Sequence, residues 1–111
     1  MKAYMYLLEC VDGTYYSGCT KYLVRRFQQH QSGLGPNQIK RRLPVKLVYY
    51  EEFQCIDEAS CREKQVHEWS RKKKQALIEA MPERLYEFVK CLNETTQLGY
   101  VTSTMLRNQS T

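Results

Sequence analysis

The chain has 111 residues, 42% of them hydrophobic, and a formal net charge of +5. That length suits one domain with a modest core; no apolar run approaches the roughly 20 residues needed to span a bilayer, and the N-terminus lacks the pattern of a signal peptide. A soluble cytoplasmic protein is expected, and the positive charge favours a polyanionic partner.

The first element is a strand over about Ala3 to Cys10, followed across Asp12-Gly13 by a second over about Thr14 to Cys19. Asp-Gly between two strand-like runs is a hairpin signal. Tyrosines crowd both arms, at Tyr4, Tyr6, Tyr15 and Tyr16, and aromatic rings are common on sheets for packing alone. Thr20 can cap a helix over about Lys21 to Gln31, with Leu23, Val24 and Phe27 as its apolar stripe and Ser32-Gly33 as its stop. Arg26 and His30 form an i, i+4 pair beside that stripe, either a solvated edge or a pair of projecting functional groups.

Residues 32 to 44 read as a loop ending in Lys40-Arg41-Arg42, where a basic run is either solvated or in contact with phosphates. A third strand covers about Val45 to Phe53. Asp57 is the expected N-cap of a helix over about Glu58 to Ser70. Glu63 falls inside that helix's apolar stripe of Ala59, Val66 and Trp69. A carboxylate there must meet a cation or hydrogen-bond donors, because burying a bare charge is costly. It either reaches water at the stripe's edge, pairs with Lys or Arg, or serves as a metal ligand or catalytic carboxylate. Arg71-Lys72-Lys73-Lys74 opens a short helix, whose charges are solvated or touch a nucleic-acid backbone. Leu85, Phe88, Val89 and Leu92 recur at helical spacing, so one more amphipathic helix follows Pro82, ahead of a polar tail. The five cysteines (Cys10, Cys19, Cys55, Cys61, Cys91) are odd in number and contain no CxxC pair, which argues against a disulfide framework and a zinc ribbon. Cys61 and His67 share a helix, but six residues apart they do not stack on one face.

Taken in order, Tyr4-Met5-Tyr6, Tyr16-Ser17-Gly18, Arg26 with His30, and Glu63 resemble the signature of the GIY-YIG nuclease superfamily. The chain is most similar to its small stand-alone members, through His30-Gln31-Ser32-Gly33, Pro44 to Tyr49, Arg62-Glu63-Lys64 and Trp69-Ser70-Arg71. Tyr4 and Ser17 depart from the glycine and isoleucine of the two triplets, at positions not expected to supply catalytic atoms. The resemblance implies an α/β (α+β) fold: a small three-stranded antiparallel sheet flanked by helices, over about residues 1–80. Residues 81–111 are expected to add a C-terminal helix, able to dock a protein partner, and the polar tail.

The resemblance further implies an endonuclease that hydrolyses phosphodiester bonds in DNA, with RNA as the other substrate, in a repair or recombination setting. A divalent cation, Mg²⁺ or Mn²⁺, would be held by Glu63 as the single protein ligand. Tyr6 would act as general base, Arg26 would stabilise transition-state charge, and His30 and Tyr16 would hydrogen-bond the phosphate or the attacking water. A free phenol titrates near 10, so Tyr6 needs a nearby cation or donor to lower it. Lys40, Arg41, Arg42, Lys46, Arg71, Lys72 and Lys73 are the candidate nucleic-acid contacts. The rival readings are a catalytically inactive nucleic-acid-binding module and a nuclease subunit active only with a partner. For Tyr6 and Tyr16 to serve one site they must share a face. A two-residue Asp12-Gly13 loop forbids this, whereas a three-residue Val11-Asp12-Gly13 loop, with Gly13 left-handed, sets Tyr16 opposite Leu8 and Tyr6 opposite Gly18.

Overall fold

A computed structural model describes residues 2–34 and 41–97. Lys40 and the polar tail from residue 98 lie outside the described residues. The hairpin consists of β1 (Ala3–Cys10) and β2 (Tyr15–Thr20). Its loop is the three-residue form: the Cys10 N–H donates to the Thr14 carbonyl at 2.8 Å, the Gly13 N–H donates to the Cys10 carbonyl at 2.9 Å, and Gly13 has φ of 85°. Only glycine takes that conformation without a steric penalty. Asp12 completes the turn by accepting from the Thr14 hydroxyl at 2.7 Å and holding Arg42 at 2.9 Å. The register is the one the shared face requires, with Tyr6 opposite Gly18 and Leu8 opposite Tyr16.

Next come α1 (Leu23–Gln31), β3 (Val45–Phe53), α2 (Ile56–His67), α3 (Arg71–Glu79) and α4 (Glu83–Gln97). The sheet is antiparallel in the order β2-β1-β3. Two expected caps are corrected. Tyr22 occupies the N-cap of α1 without a side-chain cap bond, and Thr20 instead accepts from the Tyr22 N–H two residues on. That local turn uses the hydroxyl before the helix begins. Cys55 occupies the N-cap of α2, which places Asp57 in the first turn, where its charge favours the helix dipole without capping. The helix also stops at His67, because Ser70 starts the next one by accepting from the Lys73 N–H.

Alternation along the strands sorts the core into two clusters, one on each face of the sheet. On one face Tyr6, Leu8, Cys10, Val45 and Leu47 meet Leu23 and Phe27 of α1 and Val89 and Leu92 of α4. On the other, Met5, Leu7 and Tyr49 meet Val66 of α2, with Leu77 and Ile78 of α3 half-buried against them. A bulge in β3 makes this sorting work: Leu7 pairs with Tyr49 but Leu8 pairs with Leu47, so Val48 is skipped. The extra residue turns Tyr49 to the α2 side while Leu47 stays on the α1 side.

The outer edge of β3 is sealed by two side-chain amides. Gln31 accepts from the Val45 N–H at 3.0 Å and donates to the Val45 carbonyl at 2.7 Å. Asn93 does the same for Leu47, at 2.8 Å in both directions. Each amide imitates one residue of a neighbouring strand, and together they tie α1 and α4 to an edge that would otherwise present bare backbone groups. Asn93→Ala leaves both Leu47 groups without their partner, and a loss of about 1–3 kcal/mol in urea unfolding is expected. Gln31→Ala should cost a similar amount at Val45, and the two losses should add because each amide serves a different residue.

Candidate active site

Tyr6 projects from the middle strand towards α1, where its hydroxyl meets the Nε2 atom of His30 at 2.9 Å. His30 is on the last turn of α1 and is fully buried. Tyr16 closes the other side of the imidazole in an edge-on contact, with ring centroids 5.6 Å apart. Gly18 is the reason the Tyr6 ring fits: a Cβ at that position would lie 2.5 Å from the Tyr6 oxygen. Arg26 lies one turn before His30 and is exposed, so the two do not project together; the imidazole faces the core and the guanidinium stands at the rim. His30, like Tyr6, is closed off from solvent where the two side chains meet. Its physical position is that of a buried partner to Tyr6.

Burial dominates the protonation of this pair. The Tyr6 phenol is pushed far above its ordinary value by desolvation and then by Tyr16, while the hydrogen-bonding and charge of Arg26 pull it down. His30 is pushed down to about 4, first by burial and then by Arg26. Both groups are thus neutral around pH 7. The Tyr16 phenol is also raised by burial, with Arg26 opposing and Glu63 adding to the rise. Tyr16 accordingly feels charges from both sides of the sheet.

Glu63 approaches from α2, against the opposite face of β2. Alternation sends Ser17 to that face, between Tyr16 and Gly18 in sequence, and its hydroxyl donates to the Glu63 Oε2 atom at 2.6 Å. The half-buried carboxylate is thus met by a donor, and its side chain keeps 20% exposure. The Nδ1 atom of His67 lies 3.3 Å from the Ser17 hydroxyl and 3.9 Å from Glu63. Spacing alone singles out neither Ser17 nor His67; the usable signal is that His67 follows Glu63 by four residues on one helix. An oxygen-rich site with water access suits a hard divalent cation, which keeps several waters and needs few protein ligands. Among the described residues no three His, Cys, Asp or Glu side chains gather into one metal site.

Several candidate nucleic-acid contacts have intramolecular partners. Arg42 pairs with Asp12, Arg71 donates to the Gly13 carbonyl and lies 5.1 Å over the Tyr15 ring, and Lys73 sits 4.3 Å over Trp69. Arg71 thereby braces the hairpin turn. Arg41, Lys46 and Lys72 are exposed. All five cysteines are free, as their spacing suggests. No helix among the described residues is long and apolar enough to cross a membrane.

A family model described as the GIY-YIG catalytic domain matches residues 2–76. A UPF0213 protein of Bacillus pumilus (strain SAFR-032) is 42% identical over 78 residues, covering 70% of this chain and 80% of its own. Another, from Syntrophus aciditrophicus (strain SB), is 42% identical over 85 residues, covering 76% of this chain and 98% of its own. The solution NMR structure of a protein from E. faecalis is 34% identical and aligns with a TM-score of 0.50, covering 71% of this chain and 84% of that one.

The depressed His30 value has a consequence for stability. Between about pH 4 and the ordinary imidazole value of 6.5 the unfolded chain binds a proton that the folded chain refuses. Stability from this group is therefore complete above pH 6.5 and falls as pH drops towards 4, by about 3 kcal/mol in all. Urea midpoints measured across that window should show the extra slope in the wild type and lose it in His30→Gln. Gly18→Ala should displace the Tyr6 ring, shifting the Tyr6 and His30 side-chain resonances and lowering stability by about 1–3 kcal/mol.

Proposed function

The chain belongs to the GIY-YIG nuclease family, and from that premise we propose that it is a metal-dependent endonuclease hydrolysing phosphodiester bonds in DNA. The observation that carries this reading is the meeting of Tyr6, Tyr16 and His30 on one face of the β1–β2 hairpin, with Arg26 at their rim and Glu63 on the other face. A single phosphate lying along the edge of β2 would have a phenol, a guanidinium and a carboxylate within reach.

Tyr6 is assigned as the group that takes the proton of the attacking water. Its hydrogen bond to His30 supports this through the choice of tautomer. The Nδ1 atom of His30 is buried without a partner among the described residues. An orphaned acceptor is tolerated better than an orphaned N–H, so the proton belongs on Nε2, from which His30 donates to the Tyr6 oxygen. The Arg26 guanidinium at the rim also pulls that phenol down. A donating imidazole and a nearby positive charge both favour the phenolate and work against the cost of burial. Arg26 supplies positive charge to the crowded phosphate of the transition state, and Tyr16 hydrogen-bonds a phosphate oxygen or the water. Glu63 would hold the divalent cation, Mg²⁺ or Mn²⁺, and the chemistry that ion would supply is polarisation of the scissile phosphate and stabilisation of the leaving oxygen.

Arg41, Lys46 and Lys72 are left to contact the phosphate backbone, which positions a duplex without reading its sequence. So small a surface favours selection by nucleic-acid structure, such as branched or damaged DNA in repair or recombination. Tyr86 and Phe88 are exposed on α4, which would suit docking of a protein partner. The strong rise of the Tyr6 phenol favours a second reading, a module that binds nucleic acid without cutting it.

Purified protein incubated with plasmid, branched DNA, single-stranded DNA or RNA, in Mg²⁺, Mn²⁺ or EDTA, separates these. Cleavage should require the cation and fall by about 10²-fold or more in Glu63→Ala and Tyr6→Phe. Salt-dependent binding should survive both changes, because neither removes a cationic side chain. Equal cleavage by the wild type and both variants would mean a contaminating nuclease, and binding without cleavage in every condition would favour the module.

A further inference from the structure

The Ser17 Oγ, Glu63 Oε2 and His67 Nδ1 atoms form a triangle with sides of 2.6, 3.3 and 3.9 Å. The point equidistant from all three is about 2.0 Å from each, close to the 2.0–2.2 Å at which Mg²⁺ and similar ions bind oxygen and imidazole nitrogen. We infer that this triangle is a three-ligand divalent-cation site, with His67 and Ser17 joining Glu63 as direct ligands.

The site is assembled by two independent features of the fold. Glu63 and His67 are one turn apart on α2, so both side chains reach over the same patch of β2. Ser17 rises to meet them because alternation turns it away from Tyr16 and Gly18. An isoleucine in its place, as in the usual form of the second triplet, would remove the hydroxyl that meets the Glu63 carboxylate. Binding requires little movement: the Ser17 hydroxyl hydrogen, now directed at Glu63, turns away, and the His67 proton sits on Nε2. Both Ser17 and Glu63 remain held by their backbones, while His67, with 64% of its side chain exposed, leaves the outer coordination positions open to water and to a phosphate oxygen. One imidazole among oxygen ligands shifts preference from Mg²⁺ towards first-row transition ions such as Mn²⁺.

This inference rests on the cation dependence proposed above, and binding is measured without nucleic acid so that the two can fail separately. MnCl₂ and MgCl₂ are titrated calorimetrically into the full chain at pH 7.5, and Mn²⁺-induced broadening of amide resonances locates the ion. Broadening should centre on Ser17, Glu63 and His67, and Mn²⁺ should bind more tightly than Mg²⁺. His67→Ala should weaken Mn²⁺ at least about tenfold and Mg²⁺ far less, Ser17→Ala should weaken both, and Glu63→Gln should remove both. An unchanged Mn²⁺ affinity in His67→Ala, broadening centred elsewhere, or no Mn²⁺ binding by the wild type overturns the three-ligand site. A protein that cuts DNA but shows any of those results keeps its nuclease function with Glu63 as sole ligand. A protein that binds Mn²⁺ through His67 but cuts nothing keeps this site and loses the nuclease reading.

Discussion

The left-handed turn at Gly13 fixes the hairpin register, and the register decides which side chains can ever meet. Strand alternation has a period of two, so removing one residue from the loop would send Tyr16 to the α2 face and leave Tyr6 on the α1 face. The same shift would move Gly18 from opposite Tyr6 and set a larger residue against the ring. The space at Gly18 and the bulk of Tyr6 are therefore matched only in this register. Asp12 reinforces it, since its carboxylate holds the Thr14 hydroxyl on one side and Arg42 on the other.

A buried phenol against a buried imidazole is an odd arrangement for two reactive groups. Desolvation pushes Tyr6 up and His30 down, so each is held in its neutral form and neither titrates near pH 7. Among the described residues one ring nitrogen of His30 is left without a partner. What burial secures is geometry: a ring wedged between Gly18 and the last turn of α1 has few rotamers left, and its oxygen stays where the donors point. Charge must then come from outside the pair, and Arg26, exposed at the rim, is the cation that pulls the Tyr6 phenol down.

Much of this was legible in the sequence because it depends on short-range rules. Asp12-Gly13 between two strand-like runs gave the hairpin, and the demand that two tyrosines share a face selected the three-residue loop. The bounds of β1 and β3 follow from residue type, and the stripe containing Glu63 showed that its carboxylate needed a donor. What escaped was whatever depends on contacts between distant elements. Thr20 and Asp57 are good capping residues, but the backbone starts each helix at a position tertiary packing prefers. His30 sits beside an apolar stripe, where spacing alone has it project with Arg26, yet α1 rotates it into the core to meet Tyr6 across 24 residues of sequence. The amides of Gln31 and Asn93 carry no local signature, because their partners are backbone groups of a strand elsewhere in the chain. Ser17 looked like a neutral departure from a motif until α2 brought Glu63 against it.

The strand order explains how groups on opposite faces can serve one ligand. Tyr16 and Ser17 are neighbours in sequence, yet one points to α1 and the other to α2, with the thickness of the sheet between them. In a central strand, flanking strands would keep those two sides apart. β2 is outermost in the order β2-β1-β3, so side chains from both faces can reach around its edge. Tyr16 stands between the two charges: beyond the rise that burial causes, Arg26 pulls its phenol down and Glu63 pushes it up. Moving β2 inward would preserve every residue of the site and destroy the site itself. The edge position is thus a requirement of the proposed chemistry as much as a feature of the fold.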